Sequence, residues 1–405
     1  MGFPFRYSRA AEVMRPSPIR ELFKLTQRRG MISFAGGLPD PMIFPVEEFA
    51  SCAEALSEHG RVALQYGASE GYRPLVGQIA ARMVPLLGRE VPPEEMIIAT
   101  GSQQVMDMVS RVLLDPGDVV VVEAPTYPGA LHTFRSTGAR FLPVPCDENG
   151  MCVELLPGLI ARCRRDTGRL PKLIYSIINF SNPSGACLAA DRRVRLAEIA
   201  RELAIPVLED DPYGELRYAG EPIPSVFSIA GGEGVIYASS FSKILAPGVR
   251  VAWAIGDPDL IRRLVIAKQG MDLCTPMVAQ VVVSEYVERG FLESHLVKIR
   301  THYAVKARSM ATEMRAALGG RPVSWSDPEG GFFLWLDLGD IDSQVLFARA
   351  IEEGVAFLPG RAFYPGIDET QGDAVNGARF ARLCFTFAQP EEIAEGCRRL
   401  ARCLS

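Results

Sequence analysis

The sequence lacks the patterns that indicate a metal centre, a disulfide framework or a membrane span. Only four histidines occur in 405 residues, and the nine cysteines include no Cys-x-x-Cys pair. We therefore expect no metal ion, and cysteines that stay reduced as in a cytoplasmic protein. No apolar run approaches the roughly 18 residues needed to span a bilayer, and the N-terminus lacks the apolar core of a signal peptide. Both absences favour a cytoplasmic protein that acts without a membrane.

Charge of either sign is not concentrated in any segment. The net charge is −5 and the basic residues are spread along the chain, so a nucleic-acid partner is not expected. Hydrophobic residues make up 48% and charged residues 22%, which is typical of a globular protein. No internal repeat or low-complexity linker is present, and 405 residues are too many for one small core. The chain is therefore expected to form a large and a smaller domain.

Short apolar runs alternate with helical patterns between residues 96 and 256, which is typical of an α/β fold. The runs are continuous rather than alternating, as expected for strands of a mostly parallel sheet that is buried on both faces. Ligands of such sheets bind beyond the carboxyl ends of the strands. The predicted strands are Met96–Thr100, Val119–Glu123, Leu173–Ile178, Pro206–Glu209, Val235–Ala238 and Val251–Ile255, with helices Val105–Leu114 and Arg192–Leu203 between them.

The C-terminal part predicts a smaller α+β domain. Residues 259–288 can form a long helix or a helix pair interrupted near 271–276, and residues 291–315 are again helical in pattern. We expect an N-terminal arm at residues 1–40, a large domain at 41–290 and a small domain at 291–405. The predicted elements outside the large domain are a short arm helix, Pro18–Arg28, and three strands, Phe332–Leu336, Ala356–Leu358 and Ala381–Thr386.

The most informative stretch is residues 239–250, Ser-Ser-Phe-Ser-Lys-Ile-Leu-Ala-Pro-Gly-Val-Arg. Lys243 follows a predicted strand, and Arg250 comes seven positions later behind a Pro-Gly turn. This arrangement suits a lysine held as an imine to an aldehyde cofactor, with Ser240 and Arg250 on the phosphate of that cofactor. Such a lysine needs a partly desolvated pocket and a neighbouring cation to lower its pKa. For an isolated motif of this kind, a solvated loop lysine is the commoner alternative.

Two further candidate groups follow predicted strands. Ser102 and Gln103 open a helix directly after a strand, where backbone N–H groups bind phosphate well. Tyr127 follows the next predicted strand and could stack on a flat aromatic ring. Taken singly, the first group also fits an ordinary helix cap, and Tyr127 also fits a packing role.

Three more candidates follow the next strands. Asn182 could donate a hydrogen bond to a phenolate oxygen of a cofactor, although Asn-Pro-Ser-Gly also fits a simple turn. Asp210 would be costly to bury unless it met a cationic partner, and a protonated pyridine nitrogen is such a partner. Tyr213, three residues further on, could reach the adjacent ring oxygen. The alternative for the acidic segment is a solvated loop.

Taken together, these groups resemble the fold-type I pyridoxal-phosphate aminotransferases of class I/II, and within them the 2-aminoadipate and kynurenine aminotransferases. The resemblance runs from about residue 16 to 388. It implies pyridoxal 5'-phosphate as the cofactor and a mixed, mostly parallel sheet flanked by helices in the large domain. It assigns catalysis to Lys243, Asp210 and Tyr127. The cofactor residues that it implies are Ser102, Gln103, Tyr127, Asn182, Asp210, Tyr213, Ser240, Lys243, Arg250 and Tyr66.

The resemblance also implies substrate-binding residues and a homodimer. Arg382 in Arg-Leu-Cys-Phe resembles the arginine that clamps the substrate α-carboxylate, and the resemblance implies Asn182 as a further substrate-binding residue. Gly37, in Ser-Phe-Ala-Gly-Gly-Leu-Pro-Asp-Pro, resembles the substrate loop of the arm, and Arg20 resembles a second substrate arginine. Tyr66 resembles the tyrosine that reaches the phosphate of the other subunit, so the active sites of a homodimer would be shared.

The resemblance implies transfer of an α-amino group from 2-aminoadipate, kynurenine, an aromatic or another large amino acid to a 2-oxo acid such as 2-oxoglutarate. Three departures from the family pattern occur, Ser184, Phe332 and the displaced Asn376, of which the last two put the substrate in doubt. A β-lyase or another pyridoxal-phosphate reaction on the same scaffold is one alternative. The effector domain of a transcriptional regulator is a second, but such regulators carry a winged helix-turn-helix ahead of this region.

Overall fold

The structure is a computed structural model that describes residues 5–7, 11, 30–366 and 377–404. Its strands, numbered along the chain, are β1 (Ile32–Ser33), β2 (Met96–Ala99), β3 (Val119–Ala124), β4 (Arg140–Asp147), β5 (Gly150–Met151), β6 (Leu173–Ser176), β7 (Val207–Asp210), β8 (Val235–Ser240), β9 (Ala252–Ile255), β10 (Ser324–Trp325), β11 (Phe333–Asp337), β12 (Val355–Ala356), β13 (Leu358–Pro359) and β14 (Phe380–Cys384). Its α-helices are α1 (Val46–Cys52), α2 (Ala55–Ala63), α3 (Arg73–Leu87), α4 (Ser102–Leu113), α5 (Pro128–Ser136), α6 (Leu156–Thr167), α7 (Ala190–Leu203), α8 (Val226–Ile229), α9 (Phe241–Ile244), α10 (Pro258–Gln269), α11 (Met277–Glu288), α12 (Phe291–Leu318), α13 (Ser343–Glu352) and α14 (Pro390–Cys403).

An eight-stranded mixed sheet forms the centre of the larger part of the molecule. Its spatial order is β2-β9-β8-β7-β6-β3-β4-β5. The inner strands from β8 to β4 pair in parallel, whereas β9 and β5 run antiparallel to their neighbours. Every residue of β2, β3, β6, β7, β8 and β9 is buried. Since each fully buried Val or Ile side chain stabilises the fold by about 1.5–3 kcal/mol, these continuous apolar strands form the main core.

A four-stranded antiparallel sheet, β10-β11-β14-β13, forms the smaller part of the molecule. The strand β1, which lies within the predicted arm, pairs in parallel with β12 of the C-terminal part of the chain. The long helix α12 packs against α14 and leads from the large part to the small sheet. Within the described ranges, no helix combines the length and the apolarity that crossing a bilayer requires.

The predicted elements of the large sheet are confirmed to within about two residues at each end. The break before α11 and the helix α12 are also confirmed. One prediction was incomplete, because strand β4 was not foreseen. It contains Pro143 and Pro145, which normally argue against a strand. The structure accommodates them because β5 pairs with β4 only at Cys146 and Asp147, so most of β4 has one unpaired edge. The predicted arm helix Pro18–Arg28 lies outside the described residues.

Candidate active site

A cavity of about 350 Å³ lies beyond the carboxyl ends of the parallel strands, where the sequence predicted the site. It collects side chains that are up to 345 positions apart in the chain, from Gly37 to Arg382. Of the predicted site residues, those that line this cavity are Gly37, Ser102, Gln103, Tyr127, Asn182, Asp210, Tyr213, Ser240, Lys243, Arg250 and Arg382. Tyr66 does not line it and is 78% exposed. Arg20 lies outside the described residues.

Lys243 projects from the short helix α9 at the end of β8. Its Nζ donates a hydrogen bond to the backbone oxygen of Gly37 at 3.0 Å and lies 5.8 Å from the ring centre of Phe332. Burial lowers the pKa of the Lys243 ammonium to about 8, and the positive charges of Arg382 and Arg250 act in the same direction. Roughly a tenth of the amine is therefore neutral at pH 7, far more than for a free lysine, and the neutral form is the nucleophile.

Asp210 is the last residue of β7 and is almost fully buried. Its Oδ2 accepts a hydrogen bond from the Tyr175 hydroxyl at 2.8 Å, whereas its Oδ1 has no partner among the described residues. Burial, together with the smaller effect of the neighbouring charge of Asp211, raises the pKa of Asp210 to about 7. A buried oxygen without a donor is costly, so the position is suited to a ligand that brings a cationic N–H group. The protonated pyridine nitrogen of pyridoxal phosphate fits this requirement.

The start of helix α4 forms a pocket for an anion. Gly101 precedes the helix with a φ of 83°, and a Cβ added at this position would collide with the Arg250 guanidinium. Arg250 in turn donates to the backbone oxygen of Thr100 at 3.3 Å. The absent side chain of Gly101 thus lets a guanidinium approach the N-terminus of a 12-residue helix. Both groups favour a phosphate.

Two further predicted phosphate residues, Gln103 and Ser240, are engaged in hydrogen bonds within the protein. Gln103 donates from Nε2 to the Thr133 hydroxyl and to the Gly129 oxygen. The Ser240 hydroxyl accepts from the backbone N–H of Ser242 at 3.0 Å and so caps helix α9. Ser242 also lines the cavity, and Arg250 donates to its hydroxyl at 3.4 Å. Ser242 is therefore an additional candidate, which the repeated serines before Lys243 could have indicated.

Two tyrosines, Tyr127 and Tyr213, line the cavity. Tyr127 precedes helix α5, and its ring lies where a side chain at Gly129 would have to stand. Tyr213 is 4% exposed and packs edge-on against Phe332 and Phe333, at ring-centre distances of 5.5 and 5.7 Å. Burial raises the pKa of Tyr213 above its usual value, so its hydroxyl stays protonated and can donate.

Arg382 in β14 is a buried cation, 1% exposed, without a carboxylate partner among the described residues. Nη1 donates to Asn182 Oδ1 and Nη2 to the Ala35 oxygen, both at 2.7 Å, and Nε has no partner. The guanidinium lies 4.3 Å from the ring centre of Phe333. Burial lowers the pKa of Arg382 to about 10, so it remains charged at neutral pH. An uncompensated buried cation is suited to an anionic ligand such as a carboxylate.

One group of potential metal ligands occurs away from the cavity. Asp147, Cys152 and Glu154 have ligand atoms close to one another. Arg192 donates to Asp147 at 2.5 Å and 2.7 Å and to Glu154 at 3.1 Å. Because a guanidinium already pairs with both carboxylates, the group is accounted for as an ion-pair network. The expected absence of a metal ion stays a prediction.

Comparisons with known proteins identify the family of the chain. The sequence profile of the family "Aminotransferase class I and II" matches residues 42–400. The chain is 42% identical to a 2-aminoadipate transaminase of Thermus thermophilus, over 98% of the chain and 96% of that protein. It is 40% identical to aromatic-amino-acid aminotransferase 1 of Thermococcus litoralis, over 98% of the chain and 93% of that protein.

A solved structure shows the same fold. The kynurenine aminotransferase of Pyrococcus horikoshii, solved with pyridoxamine phosphate, has a TM-score of 0.91 and 40% sequence identity, over 98% of this chain and 96% of that one. The orphaned oxygen of Asp210 and the anion pocket beside Gly101 are independent of these similarities, and both suit the same cofactor. The chain belongs to the class I and II aminotransferases, and it is a pyridoxal-phosphate-dependent aminotransferase of fold type I.

Proposed function

We propose that this enzyme transfers the α-amino group of a large amino acid, either 2-aminoadipate or an aromatic one such as kynurenine, to 2-oxoglutarate. The observation that carries the proposal is the buried cation of Arg382, which has no carboxylate partner among the described residues. An α-carboxylate is common to every amino donor and oxo-acid acceptor. The relatives named for aromatic amino acids, 2-aminoadipate and kynurenine support the choice of donors.

The residue roles follow from the chemistry of each side chain. Pyridoxal phosphate, when bound, supplies the electron sink for the reaction. Lys243 holds the cofactor and then, as a neutral amine, takes the proton from the substrate Cα. Asp210 keeps a positive charge on the pyridine nitrogen. Arg382 fixes the substrate carboxylate through a bidentate fork, and this contact orients the Cα–H bond.

The remaining cavity residues hold the cofactor. Asn182 accepts from Arg382 through Oδ1 and therefore has its Nδ2 left to donate to the ring oxygen, together with the Tyr213 hydroxyl. Tyr127 stacks on the ring. The phosphate is held at the start of helix α4 by Ser102, Gln103, Ser240 and Arg250, and by Tyr66 of a second subunit.

The proposal extends to the assembly and its surroundings. We propose a homodimer in which the arm (1–40), the large domain (41–290) and the small domain (291–405) form each subunit. All nine cysteines are free thiols, which supports a reducing cytoplasm. The even spread of charge in the sequence supports small-molecule substrates rather than nucleic acid or a membrane as partners.

The test is a half-reaction without any oxo acid. Purified protein loaded with pyridoxal phosphate is mixed with single amino acids, and the cofactor absorbance is followed. Conversion of the cofactor to its amine form by 2-aminoadipate or kynurenine, and not by the Lys243→Ala variant, is the expected result. Return of the original spectrum on adding 2-oxoglutarate would then support the acceptor. No conversion with any donor, combined with release of pyruvate from a cysteine conjugate, would replace the proposal by the β-lyase alternative.

A further inference from the structure

Residues 34–40, here called the crossing segment, accept three hydrogen bonds through backbone oxygens near the middle of the segment. The Ala35 oxygen accepts from Arg382 at 2.7 Å, and the Gly37 oxygen accepts from Lys243 at 3.0 Å. The Leu38 oxygen accepts from the Thr386 hydroxyl at 2.6 Å. One stretch of backbone therefore contacts both the lysine at the end of β8 and the arginine of β14. Its position decides where these two cations lie relative to each other.

The end of the crossing segment is fixed by a buried ion pair. Asp40 is fully buried and Lys306, from helix α12, is 1% exposed. Lys306 Nζ donates to Asp40 Oδ2 at 2.5 Å, and neither residue lines the cavity. The Asp40 carboxylate also contacts His302 Nε2 at 2.9 Å, the Met42 N–H at 3.0 Å and Gln389 Nε2 at 3.5 Å. The backbone N–H of Asp40 donates to the Tyr303 hydroxyl at 3.2 Å.

Lys306 connects the crossing segment with the strand that carries the arginine. The same Nζ donates to the Thr386 oxygen at 2.7 Å, while the Thr386 hydroxyl holds the Leu38 oxygen. Thr386 lies four residues after Arg382. A single ammonium group thus fixes the crossing segment at Asp40 and, through Thr386, at Leu38. Buried ion pairs add little net stability compared with apolar residues, so their most useful property is defined geometry.

We propose that Asp40 and Lys306 are positioning residues that align the crossing segment, so that Gly37 and Arg382 offer a preformed site to the α-carboxylate. This inference rests on the proposed function, because it assumes that Arg382 binds a carboxylate. The carboxylate is shared by amino acid and oxo acid. The pair therefore acts on both substrates alike, and it acts on their binding more than on the chemical step.

The experiment compares Asp40→Asn, Lys306→Met and the double variant as loaded enzymes. In the single variants we expect KM for the donor and for 2-oxoglutarate to rise by the same factor, about tenfold or more, with kcat changed less than about threefold. Cofactor affinity stays within about threefold of the parent. Hydrogen exchange of a peptide covering residues 34–40 becomes faster in the cofactor-free protein, a readout that does not depend on turnover.

The double variant separates positioning from stability. Each single variant leaves a buried charge unpaired and lowers the melting temperature, whereas the double variant removes both charges and recovers most of that temperature. If the ion pair positions the crossing segment, the KM values of the double variant stay above those of the parent although its melting temperature recovers. KM values that return to those of the parent together with the melting temperature would overturn the proposal, since the pair would then be structural only. An increase of KM for only one of the two substrates would overturn it as well.

A control removes a less buried ion pair elsewhere, in which the side chains of Arg192 and Asp147 are 15% and 34% exposed. Asp147→Asn breaks the 2.5 Å contact with Arg192 outside the cavity, and we expect a lower melting temperature with unchanged KM. An equal rise of KM in this control would contradict the assignment to Asp40 and Lys306. If the parent enzyme transfers no amino group at all, the proposed function fails. The exchange rate at residues 34–40 still reports in that case whether the pair holds the segment.

Discussion

At the level of single residues, Arg382 is the group whose surroundings are hardest to explain without a ligand. It is a buried cation with one unpartnered N–H group among the described residues. We expect Arg382→Lys to raise KM for both substrates about a hundredfold, because a lysine cannot form the bidentate contact, at a cost of about 2–3 kcal/mol in binding free energy. Steady-state kinetics and a cofactor titration check this result. Equal losses of substrate and cofactor binding would contradict the assigned role.

For Asp210 we predict a substitution that stabilises the protein when no cofactor is bound. Its pKa is raised to about 7 by burial, against 3.8 in a free chain, so the folded state binds more protons than the unfolded state between these values. Stability of the cofactor-free protein must therefore fall as the pH rises from about 4 to 7. We expect Asp210→Asn to remove this loss and to stabilise the cofactor-free protein at pH 8 by roughly 2–4 kcal/mol.

Denaturant unfolding at pH 5 and pH 8 measures this difference. The gain of Asp210→Asn should be larger at pH 8 than at pH 5, because the parent carboxyl is protonated in the fold at the lower pH. The same variant should lose cofactor affinity and activity, since a neutral amide does not attract the ring nitrogen. A variant that is less stable than the parent at both pH values would show that the carboxylate is satisfied without the cofactor.

At the level of elements, the start of helix α4 depends on Gly101. A side chain there would be strained at a φ of 83° and would displace Arg250. We expect Gly101→Ala to weaken cofactor binding at least about tenfold, through the lost phosphate contacts. Gly117→Ala is the matched control, because Gly117 has a φ of 92° but no atom within 4 Å of an added Cβ. A fluorescence titration with pyridoxal phosphate compares the two, and equal weakening in both would point to backbone strain rather than to the phosphate pocket.

The sequence was sufficient where a pattern is local. Continuous apolar runs predicted the inner strands, and residues directly after them lie at the cavity because parallel strands end at the same edge. It was insufficient where partners come from distant segments. The hydrogen bond of Tyr175 to Asp210 and the ion pair of Asp40 with Lys306 join residues that no spacing rule relates. Strand β4 was missed because its two prolines are tolerated only beside an unpaired edge, which is a tertiary property.

At the level of the whole molecule, exposed apolar side chains gather on neighbouring helices near Tyr66. Leu64 is 84% exposed, Val46 69% and Val62 49%, and they lie in or beside α1 and α2, which pack against α11. Scattered exposed apolar residues are ordinary, but a group on adjacent helices is typical of an interface. We propose that a second copy of the chain buries this surface and brings Tyr66 to the cavity of its partner.

Mixed dimers test whether Tyr66 acts between subunits. Lys243→Ala and Tyr66→Phe chains are co-expressed, so that some dimers contain one chain of each kind. In such a mixed dimer, one site combines the intact Lys243 of one subunit with the intact Tyr66 of the other. If assembly is random, about a quarter of the sites regain the parent composition, so the activity per chain should exceed that of a mixture in which no site can be restored. The control replaces Lys243→Ala by the double variant Lys243→Ala/Tyr66→Phe, which can restore nothing. Activity that is no higher than in this control would mean that Tyr66 serves the site of its own chain or none. If Tyr66 acts on the site of the partner, an intact Tyr66 on one subunit must restore the site that holds the intact Lys243 on the other.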